Sequence, residues 1–590
     1  MDLEKEWLPV TGKEVDALGW DQPDVIIFSG DAYVDHPSFG AAVIGRVIEH
    51  ERLNVAVVPQ PNWKDDLRDF RKLGRPKYFF GVTAGNMDSM VNHYTAARRL
   101  RSDDAYTPGG KAGFRPDYPT IVYTRILKEL FPDIPVVAGG IEASMRRLTH
   151  YDYWQDKLLP SILAVSGADM IIYGMAERPV RELVKLLAKG VPFSSVKTLP
   201  QTVILSDPGK IPVQKKWKDI RLRSYEDCLS DKKAFSDNFM LFERESNKID
   251  SARLIEAVED VLVIANPPFG PADEKEADLV YDLPFTYMPH PRYKKRGAIP
   301  AYEMIKFSVN IHRGCFGGCS FCAIAAHQGK QIVSRSEKSV LREIEKISML
   351  PDFRGYISDL GGPTSNMYRM KGINMEVCRQ CYRPSCIWPG VCPNLDTNHK
   401  SLISLYKKAA LMPGIKKVFV SSGVRYDLLL SEWNRKAGRD EDEYIEELVA
   451  YHVSGRMKVA PEHTSPQVLD LIRKPPFSLF RTFKMRFENI LKKKGLRYEL
   501  IPYFISSLPG STENEMSRLA GELESLKVKP EQVQDFTPTP MTFSTLIYYV
   551  GFNPYDGKKV YVARNPEEKK RQKDYFFWYR QRQQKGKPKK

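Results

Sequence analysis

The middle of the chain carries three cysteines at short spacing, in the stretch HRGCFGGCSFCAIAAHQG. Thiolates spaced like Cys315, Cys319 and Cys322 can bind zinc or an iron–sulfur cluster. Structural zinc sites close a tetrahedron with paired CxxC knuckles or with histidines, and CxxxCxxC does not match that pattern. A four-iron cluster on three thiolates leaves one iron open to another ligand. The flanking His312 and His327 are expected to be turn or outer residues rather than a fourth ligand.

Four further cysteines form a second candidate metal site in the run CRQCYRPSCIWPGVC: Cys378, Cys381, Cys386 and Cys392. They lie on an expected insert at 363–397. Four thiolates this close could bind zinc as a structural clamp or hold an auxiliary iron–sulfur cluster. Both alternatives stay open, and the clamp is preferred. Cysteine clustering in a long chain without a signal-peptide pattern predicts a cytoplasmic protein with metal sites rather than disulfides.

The composition of the 590 residues is that of a globular protein with two or three domains. Apolar runs stay below the ~18 residues that a membrane helix needs, so no membrane partner is expected. The formal net charge is +16, and almost half of it falls after residue 565. We therefore predict a basic, disordered tail at 546–590. The interleaved DYFFWYRQRQQ makes nucleic-acid contact the alternative for this tail, since aromatic side chains stack on bases.

The elements that must position these cysteines fall into two alternating α/β regions. In residues 1–195, strands DVIIFSG, NVAVVPQP, IPVVAGG and DMIIYG alternate with helices such as GAAVIGRVIEHE. This pattern predicts a Rossmann-like parallel sheet. Residues 196–300 are expected to be connecting structure with one helix near Asp250 to Val263.

A second alternating region spans 301–545. Six strands are predicted there: FSVNIH, GYISDL, KKVFVSS, MKVAP, YELIPYFI and QVQDFT. Helices such as SEKSVLREIEKISML and TENEMSRLAGELESL separate them. Six strands without a seventh or eighth predict a partial (β/α)6 TIM-type barrel, with its active residues at the carboxyl ends of the strands. The three cysteines follow directly after the first of these strands.

CxxxCxxC with an aromatic residue before its last cysteine, on the loop after the first barrel strand, resembles the radical SAM superfamily. Other motifs resemble that family in the same order. DLGGPTS places Gly361 and Gly362 where the family approaches the amino group of the methionine moiety. APEHTS offers Glu462 as a ribose-binding carboxylate, and SSLPGSTENEM offers Pro509 and Gly510 as an adenine-binding turn.

The resemblance implies the cofactors and the reaction. The three cysteines would hold a [4Fe-4S] cluster whose open iron binds S-adenosylmethionine. Reductive cleavage would give a 5'-deoxyadenosyl radical that abstracts hydrogen from a substrate, with a reductant such as flavodoxin or ferredoxin as partner. The stretches at 85–110 and 281–293 narrow the resemblance to YgiQ-type radical SAM proteins. The substrate and the catalytic residues that contact it are not implied.

The N-terminal region is similar to the cobalamin-binding-like domains that precede many radical SAM barrels. In related proteins a DxHxxG motif supplies the histidine that binds cobalt. Here Asp35 and His36 are adjacent and Gly40 lies four residues after His36, so the motif is broken. His36 is therefore expected to be a turn residue. Cobalamin is disfavoured as a cofactor but stays open.

Two other functions stay open on the sequence alone. One is RNA modification by methyl or methylthio transfer, favoured by the net charge because phosphate contacts dominate nucleic-acid affinity. Against it, the first 300 residues contain only Cys228, whereas methylthiotransferases of the superfamily carry a three-cysteine cluster in that region. The other is a non-catalytic, zinc-clamped nucleic-acid-binding protein, which the motifs APEHTS and SSLPGSTENEM argue against.

Overall fold

The structure is a computed structural model that describes residues 6–430, 441–531 and 533–579. The chain divides into two compact units. The first comprises Met1–Lys306 with Ala326–Gln328, and the second comprises Phe307–Ala325 with Gly329–Lys590. Within the described ranges, no helix is both long and apolar enough to cross a membrane.

The first unit is built on a nine-stranded sheet. Its order is β10-β11-β12-β9-β8-β5-β4-β1-β3, and β3, β1, β4, β5 and β8 run parallel. The strands of this unit are β1 (Val25–Ser29), β2 (Val34–Asp35), β3 (Val55–Pro59), β4 (Phe79–Thr83), β5 (Val136–Gly139), β6 (His150–Asp152), β7 (Lys157–Leu159), β8 (Met170–Ile172), β9 (Thr202–Ser206), β10 (Asp219–Arg221), β11 (Arg253–Val258), β12 (Val261–Ala265) and β13 (Met288–Pro289).

The predicted parallel sheet is confirmed by this strand order. The sequence forms it because the central strands are continuous apolar runs that need cover on both faces. Every residue of β1 and β3 is buried, and Val25 pairs with Val55 in register. The helices of this unit are α1 (Gly12–Ala17), α2 (Gly40–His50), α3 (Arg68–Arg71), α4 (Ser89–His93), α5 (Pro119–Leu130), α6 (Gly140–Ser144), α7 (Ile162–Ser166), α8 (Glu177–Ala188), α9 (Tyr225–Ser230), α10 (Lys232–Ser246), α11 (Glu274–Asp282) and α12 (Pro300–Ile305).

The stretch 196–300 differs from the connecting structure that we expected. It adds β9 to β12 to the sheet, and the expected helix at Asp250 to Val263 is wrong. Strands β11 and β12 form an antiparallel hairpin in which Val258 pairs with Val261. The β-branched residues of VLVIA favour a strand, and the neighbouring strand β9 covers it on its other edge.

The second unit contains the six predicted strand positions as short parallel segments. β14 pairs with β18, β17 pairs with β19, and β20, β21 and β22 form a three-stranded sheet. The strands are β14 (Ser308–Asn310), β15 (His312–Arg313), β16 (Val333–Ser334), β17 (Tyr356–Ile357), β18 (Asp359–Gly361), β19 (Lys417–Val418), β20 (Arg456–Glu462), β21 (Glu499–Ser506) and β22 (Val533–Asp535). β17 and β18 together are the second barrel strand.

Helices connect these strands and supply the parallel crossovers. The predicted helices that begin after Ser336 and Thr512 are confirmed, and each of these residues caps its helix through its side chain. The helices are α13 (Ile324–Gln328), α14 (Glu337–Ser348), α15 (Met375–Arg379), α16 (Lys400–Ala410), α17 (Tyr426–Leu430), α18 (Glu441–Glu447), α19 (Pro466–Leu471), α20 (Phe477–Lys494), α21 (Glu513–Ser525), α22 (Phe543–Val550) and α23 (Pro566–Tyr575).

The expectation of a disordered tail at 546–590 is wrong for its described part. Helix α23 packs against α21. Phe576 after it is fully buried, with its ring centroid 5.6 Å from that of Phe504 on β21. The sequence pattern missed this packing because α23 is strongly polar, and only Lys569 and Gln572 within it are buried. Residues 580–590 lie outside the described residues.

Candidate functional site

The three-cysteine loop begins where the first barrel strand ends. Strands β15 and β16 flank the loop and pair antiparallel, which brings its two ends together. Within the loop, the Cys315 amide donates to the Gly329 carbonyl over 3.1 Å. Gly314 has φ +84°, and a Cβ there would lie 2.1 Å from the Gln331 carbonyl oxygen. Only glycine fits this left-handed turn, which leads the chain into the cysteines.

The three thiols lie close enough to act on one another electrostatically. Burial raises the pKa of Cys322 to about 12, and the nearby Cys319, Cys315 and Glu462 add to this rise. Burial also raises the pKa of Cys315, which the hydroxyl of Thr364 opposes. Three partly buried thiols gathered on one loop are a donor set that fits iron, which binds thiolates and displaces their protons.

Two residues from the next strand ends contact the sulfurs. Thr364 follows the second strand and places its Oγ1 3.5 Å from Cys315 Sγ. Arg425 follows the third strand, and its Nη1 donates to Cys319 Sγ over 3.2 Å. The guanidinium is buried and also pairs with Asp427, with Nη2 2.6 Å from Oδ2. Sequence reasoning missed both contacts, although the rule that active residues follow strand ends pointed to their segments.

Segments that follow two later strands also form hydrogen bonds with the loop. The Ser320 amide donates to the Ile472 carbonyl over 3.1 Å, and the Ser544 amide donates to the Ser320 carbonyl over 2.9 Å. The hydroxyls of Ser320 and Ser544 lie 2.5 Å apart. The cysteine loop is therefore fixed by segments that follow several different strands.

The glycine pair Gly361 and Gly362 lies at the end of β18. A Cβ on Gly361 would lie 2.6 Å from Ser422 Oγ, and one on Gly362 would lie 2.5 Å from the ring of His312. His312 is fully buried, and burial lowers its pKa to about 3. Close packing requires both glycines here, and the same turn leads to Thr364 beside Cys315.

Glu462 closes β20 in a conformation that non-glycine residues adopt only with strain, with φ +66°. A register irregularity between Val459 and Glu462 precedes it. The carboxylate is buried, and burial raises its pKa, while Lys474 opposes the rise with Nζ 3.5 Å from Oε1. The structure thus brings Glu462 into the electrostatic surroundings of the cysteine loop, through Cys322.

The turn with Pro509 and Gly510 follows β21. Gly510 has φ +87°, and its amide donates to the Tyr561 carbonyl over 2.8 Å. His463, which sequence reasoning did not single out, lies next to Glu462 and places Nε2 3.4 Å from Ser511 Oγ. The ends of the fourth and fifth strands therefore meet through His463, a buried ring whose pKa is lowered to about 3 by burial.

The second cysteine group lies on the insert between β18 and α16, in and after helix α15. All four of its thiols are partly buried: Cys378, Cys381, Cys386 and Cys392. Across the described part of the chain, no three His, Cys, Asp or Glu side chains converge on a position for a single metal ion.

His36 lies in the first unit, in the turn before α2. It is buried, and its Nδ1 accepts the Ser38 amide over 3.1 Å. Its ring packs edge-on against Tyr287 with centroids 5.2 Å apart. His36 therefore lies in a turn, and its Nε2 has no hydrogen-bond partner among the described residues.

Comparison with known proteins gives three family models along the chain. The model described as radical SAM N-terminal matches residues 7–308. The radical SAM superfamily model matches residues 309–523, which include the three-cysteine loop and the strand ends around it. A domain of unknown function, DUF3362, matches residues 531–584 and so includes helix α23.

Individual relatives cover nearly the whole chain. A UPF0313 protein of Porphyromonas gingivalis is 59% identical over 98% of this chain and 90% of its own length. A UPF0313 protein of Bacteroides thetaiotaomicron is 55% identical over 98% of this chain and 95% of its own.

Among solved structures, the radical S-adenosylmethionine methyltransferase TsrM from Kitasatospora setae, with cobalamin and a [4Fe-4S] cluster bound, is similar with a TM-score of 0.48. The two chains are 13% identical, and the likeness covers 95% of this chain and 89% of that one. The family assignment rests on the sequence matches. The chain belongs to the UPF0313 family of YgiQ-type proteins, within the radical SAM superfamily of enzymes.

Proposed function

We propose that Cys315, Cys319 and Cys322 hold the [4Fe-4S] cluster of this radical SAM enzyme and leave one iron for S-adenosylmethionine. The observation that carries the proposal is the gathering of three partly buried thiols on one loop at the carboxyl ends of the barrel strands, with Thr364 and Arg425 in contact with two of the sulfurs. When bound, the cluster and S-adenosylmethionine supply a one-electron cleavage of the sulfonium to methionine and a 5'-deoxyadenosyl radical.

The chain's own residues hold this site in place. Arg425 brings a fixed positive charge to the Cys319 sulfur, and Asp427 holds the guanidinium in a bidentate pair. Thr364 directs its hydroxyl at the Cys315 sulfur. Hydrogen bonds to ligand sulfurs and nearby charge set the potential of such a centre. These residues therefore orient the thiolates and tune the electron transfer.

The residues proposed to bind S-adenosylmethionine come from three strand ends. They are Gly361, Gly362, Glu462, Pro509 and Gly510. The glycine turn supports the proposal because it continues into Thr364 at the cluster loop, and Glu462 because a buried carboxylate suits the two hydroxyls of a ribose. The Lys474 ion pair keeps Glu462 from being an isolated buried charge.

The enzyme needs a source of electrons and a hydrogen donor. A low-potential one-electron protein such as a flavodoxin or a ferredoxin is the proposed reductant. The reaction as proposed takes one electron from the reductant and one hydrogen atom from the substrate. It releases methionine and 5'-deoxyadenosine and leaves the substrate as a radical.

Formation of 5'-deoxyadenosine tests the proposal. Anaerobically reconstituted protein, given dithionite and S-adenosylmethionine, should form it, since one-electron cleavage leaves a radical that takes up hydrogen. Cys315→Ala, Cys319→Ala and Cys322→Ala should each abolish formation, because two thiolates do not retain the cluster. Cys228→Ala is the matched control, a buried cysteine in the first unit that should leave the yield unchanged. A loaded wild-type protein that forms no 5'-deoxyadenosine would contradict the proposal.

A further inference from the structure

Local backbone hydrogen bonds join the four cysteines of the insert in two pairs. The Cys381 amide donates to the Cys378 carbonyl over 3.2 Å, and the Cys392 amide donates to the Cys386 carbonyl over 2.7 Å. The four thiols therefore follow one another on a short run whose backbone is folded back on itself.

A buried lysine lies within the same group. Lys330 is 5% exposed, and its Nζ lies 3.8 Å from Cys381 Sγ. Its ammonium also donates to the Arg383 carbonyl over 2.7 Å. A buried cation in contact with Cys381 is placed to balance negative charge that the group carries as thiolates.

The insert is bonded to the backbone of the three-cysteine loop. Ser385 Oγ donates to the Gly317 carbonyl over 2.9 Å, and the Cys386 amide donates to the Phe316 carbonyl over 3.0 Å. A Cβ on Gly318 would lie 2.2 Å from the Pro384 carbonyl oxygen, so the two segments are in close contact. Cys386 is therefore one backbone hydrogen bond away from the residue that follows Cys315.

The same apolar cluster supports both cysteine groups. Cys315 of the first group and Cys386 and Cys392 of the second pack against it. Its buried members are Phe316, Met367, Met370, Ile387, Leu395 and Leu428. The insert therefore packs against the same buried residues as the three-cysteine loop.

Gly372 leaves space for the Cys378 sulfur. A Cβ on Gly372 would lie 2.4 Å from Cys378 Sγ, so a larger residue would displace that sulfur. Asn394 Nδ2 donates to the same sulfur over 3.4 Å. A hydrogen bond to sulfur and a glycine kept beside it are what a ligand thiolate needs from its surroundings.

We propose that Cys378, Cys381, Cys386 and Cys392 bind a second iron–sulfur cluster, next to the first and with Lys330 as its charge partner. This goes beyond the proposed function, which needs only the three-cysteine loop. Four cysteines are the complete ligand set of a [2Fe-2S] or [4Fe-4S] cluster, so this centre would keep no open position.

The ligand pattern distinguishes the proposal from the structural zinc clamp preferred on the sequence alone. Zinc sites of four thiolates bring two close pairs together from separate stretches of chain. Here only Cys378 and Cys381 form a CxxC pair, and all four ligands follow one another within a single run. In ferredoxin-type clusters most of the cysteine ligands come from one short run. The conditions that load the neighbouring loop with iron would offer iron to the insert as well.

Metal and sulfide analysis of two variants tests the proposal. The Cys315→Ala, Cys319→Ala, Cys322→Ala triple variant, reconstituted anaerobically, should retain about two to four irons per chain with an equal amount of sulfide. The Cys378→Ala, Cys381→Ala, Cys386→Ala, Cys392→Ala variant should lose that share and keep the rest. A triple variant that holds zinc, or no metal, would overturn the second cluster. Failure of the first cluster would be distinguishable, because the four-cysteine variant would then hold no iron.

A milder substitution covers the case in which these variants do not fold. Lys330→Gln should lower the reduction potential of the second cluster in otherwise wild-type protein, because a cation stabilises the reduced and more negative form. Lys338→Gln, an exposed lysine on α14, is the control and should leave both potentials unchanged. Wild-type protein whose electron paramagnetic resonance shows one cluster only, at any potential, would overturn the proposal.

Discussion

Arg425 is the residue whose contacts bear most directly on the first cluster. It is buried, it donates to Cys319 Sγ, and it is held by Asp427 through two hydrogen bonds of 2.9 and 2.6 Å. A guanidinium is always charged and its geometry is fixed by such a fork. The positive charge next to a ligand sulfur favours the reduced cluster.

Replacing this charge should therefore make the cluster harder to reduce. We expect the double variant Arg425→Gln, Asp427→Asn, which leaves no unpaired buried charge, to have a more negative reduction potential than the wild type. A potentiometric titration followed by electron paramagnetic resonance measures it. The exposed Arg456→Gln, at the opposite end of β20, should leave the potential unchanged. An unshifted potential in the double variant would show that Arg425 does not act on the cluster.

At the scale of elements, the hairpin of β11 and β12 carries a buried carboxylate in the first unit. Glu256 on β11 is 1% exposed and accepts the Thr149 amide over 2.9 Å. Burial raises its pKa from 4.5 to about 7. The folded chain therefore holds a proton between these values that the unfolded chain has already lost.

This shift predicts the sign of a pH effect on stability. Between about pH 4.5 and 7 the folded state binds more protons than the unfolded state, so stability falls as the pH rises through that window, by about 3 kcal/mol in all. Glu256→Gln keeps the acceptor for Thr149 and should remove most of this fall. Urea unfolding midpoints at pH 5 and pH 8 measure it, with the exposed Glu274→Gln as control. Equal pH dependence in the wild type and Glu256→Gln would refute the assignment.

Some of these elements could be predicted from the local sequence, and others are determined by contacts with distant parts of the chain. Strands such as β1 and β3 are continuous apolar runs, and helices such as α14 have a regular apolar face, so local sequence was enough. Strand β11, RLIEAV, reads equally well as a helix, and only its pairing with β10 and β12 makes it a strand.

Some residues of the candidate site could likewise be predicted from the local sequence, and others could not. The three cysteines and the glycine pair stand out because their spacing and order are local properties of the sequence. Arg425 and Thr364 could not be found by spacing, because their contacts with sulfur join residues more than forty positions apart. They become visible only when the barrel brings its strand ends together.

At the scale of the whole molecule, the C-terminal segment is part of the second unit. Phe576 is fully buried against Phe504, and Gln572 accepts the Ser507 amide over 3.1 Å. Phe576→Ala should lower the free energy of unfolding by about 3–5 kcal/mol, because it leaves a cavity of aromatic size. Denaturant titration checks this, with the exposed Lys570→Ala as the control. A loss below 1 kcal/mol would mean that the segment does not belong to the core.

Family membership also bears on the alternatives. The match to the radical SAM superfamily model supports an enzyme, so the alternative of a non-catalytic, zinc-clamped binding protein falls away. RNA modification stays a hypothesis. The basic residues of the C-terminal segment, which favoured it, lie partly in helix α23 and partly after Tyr579. The net charge by itself describes attraction to nucleic acid in general and no particular substrate.

The open iron is the central feature of the proposed chemistry, and titrating the reduced protein with S-adenosylmethionine tests it most directly. The electron paramagnetic resonance signal of the cluster at Cys315, Cys319 and Cys322 should change shape as the ligand binds. Glu462→Gln should need about tenfold more ligand, since it loses a charged hydrogen bond, whereas the exposed Glu499→Gln should not. A fully assembled cluster whose signal is unaffected by saturating S-adenosylmethionine would contradict the proposal.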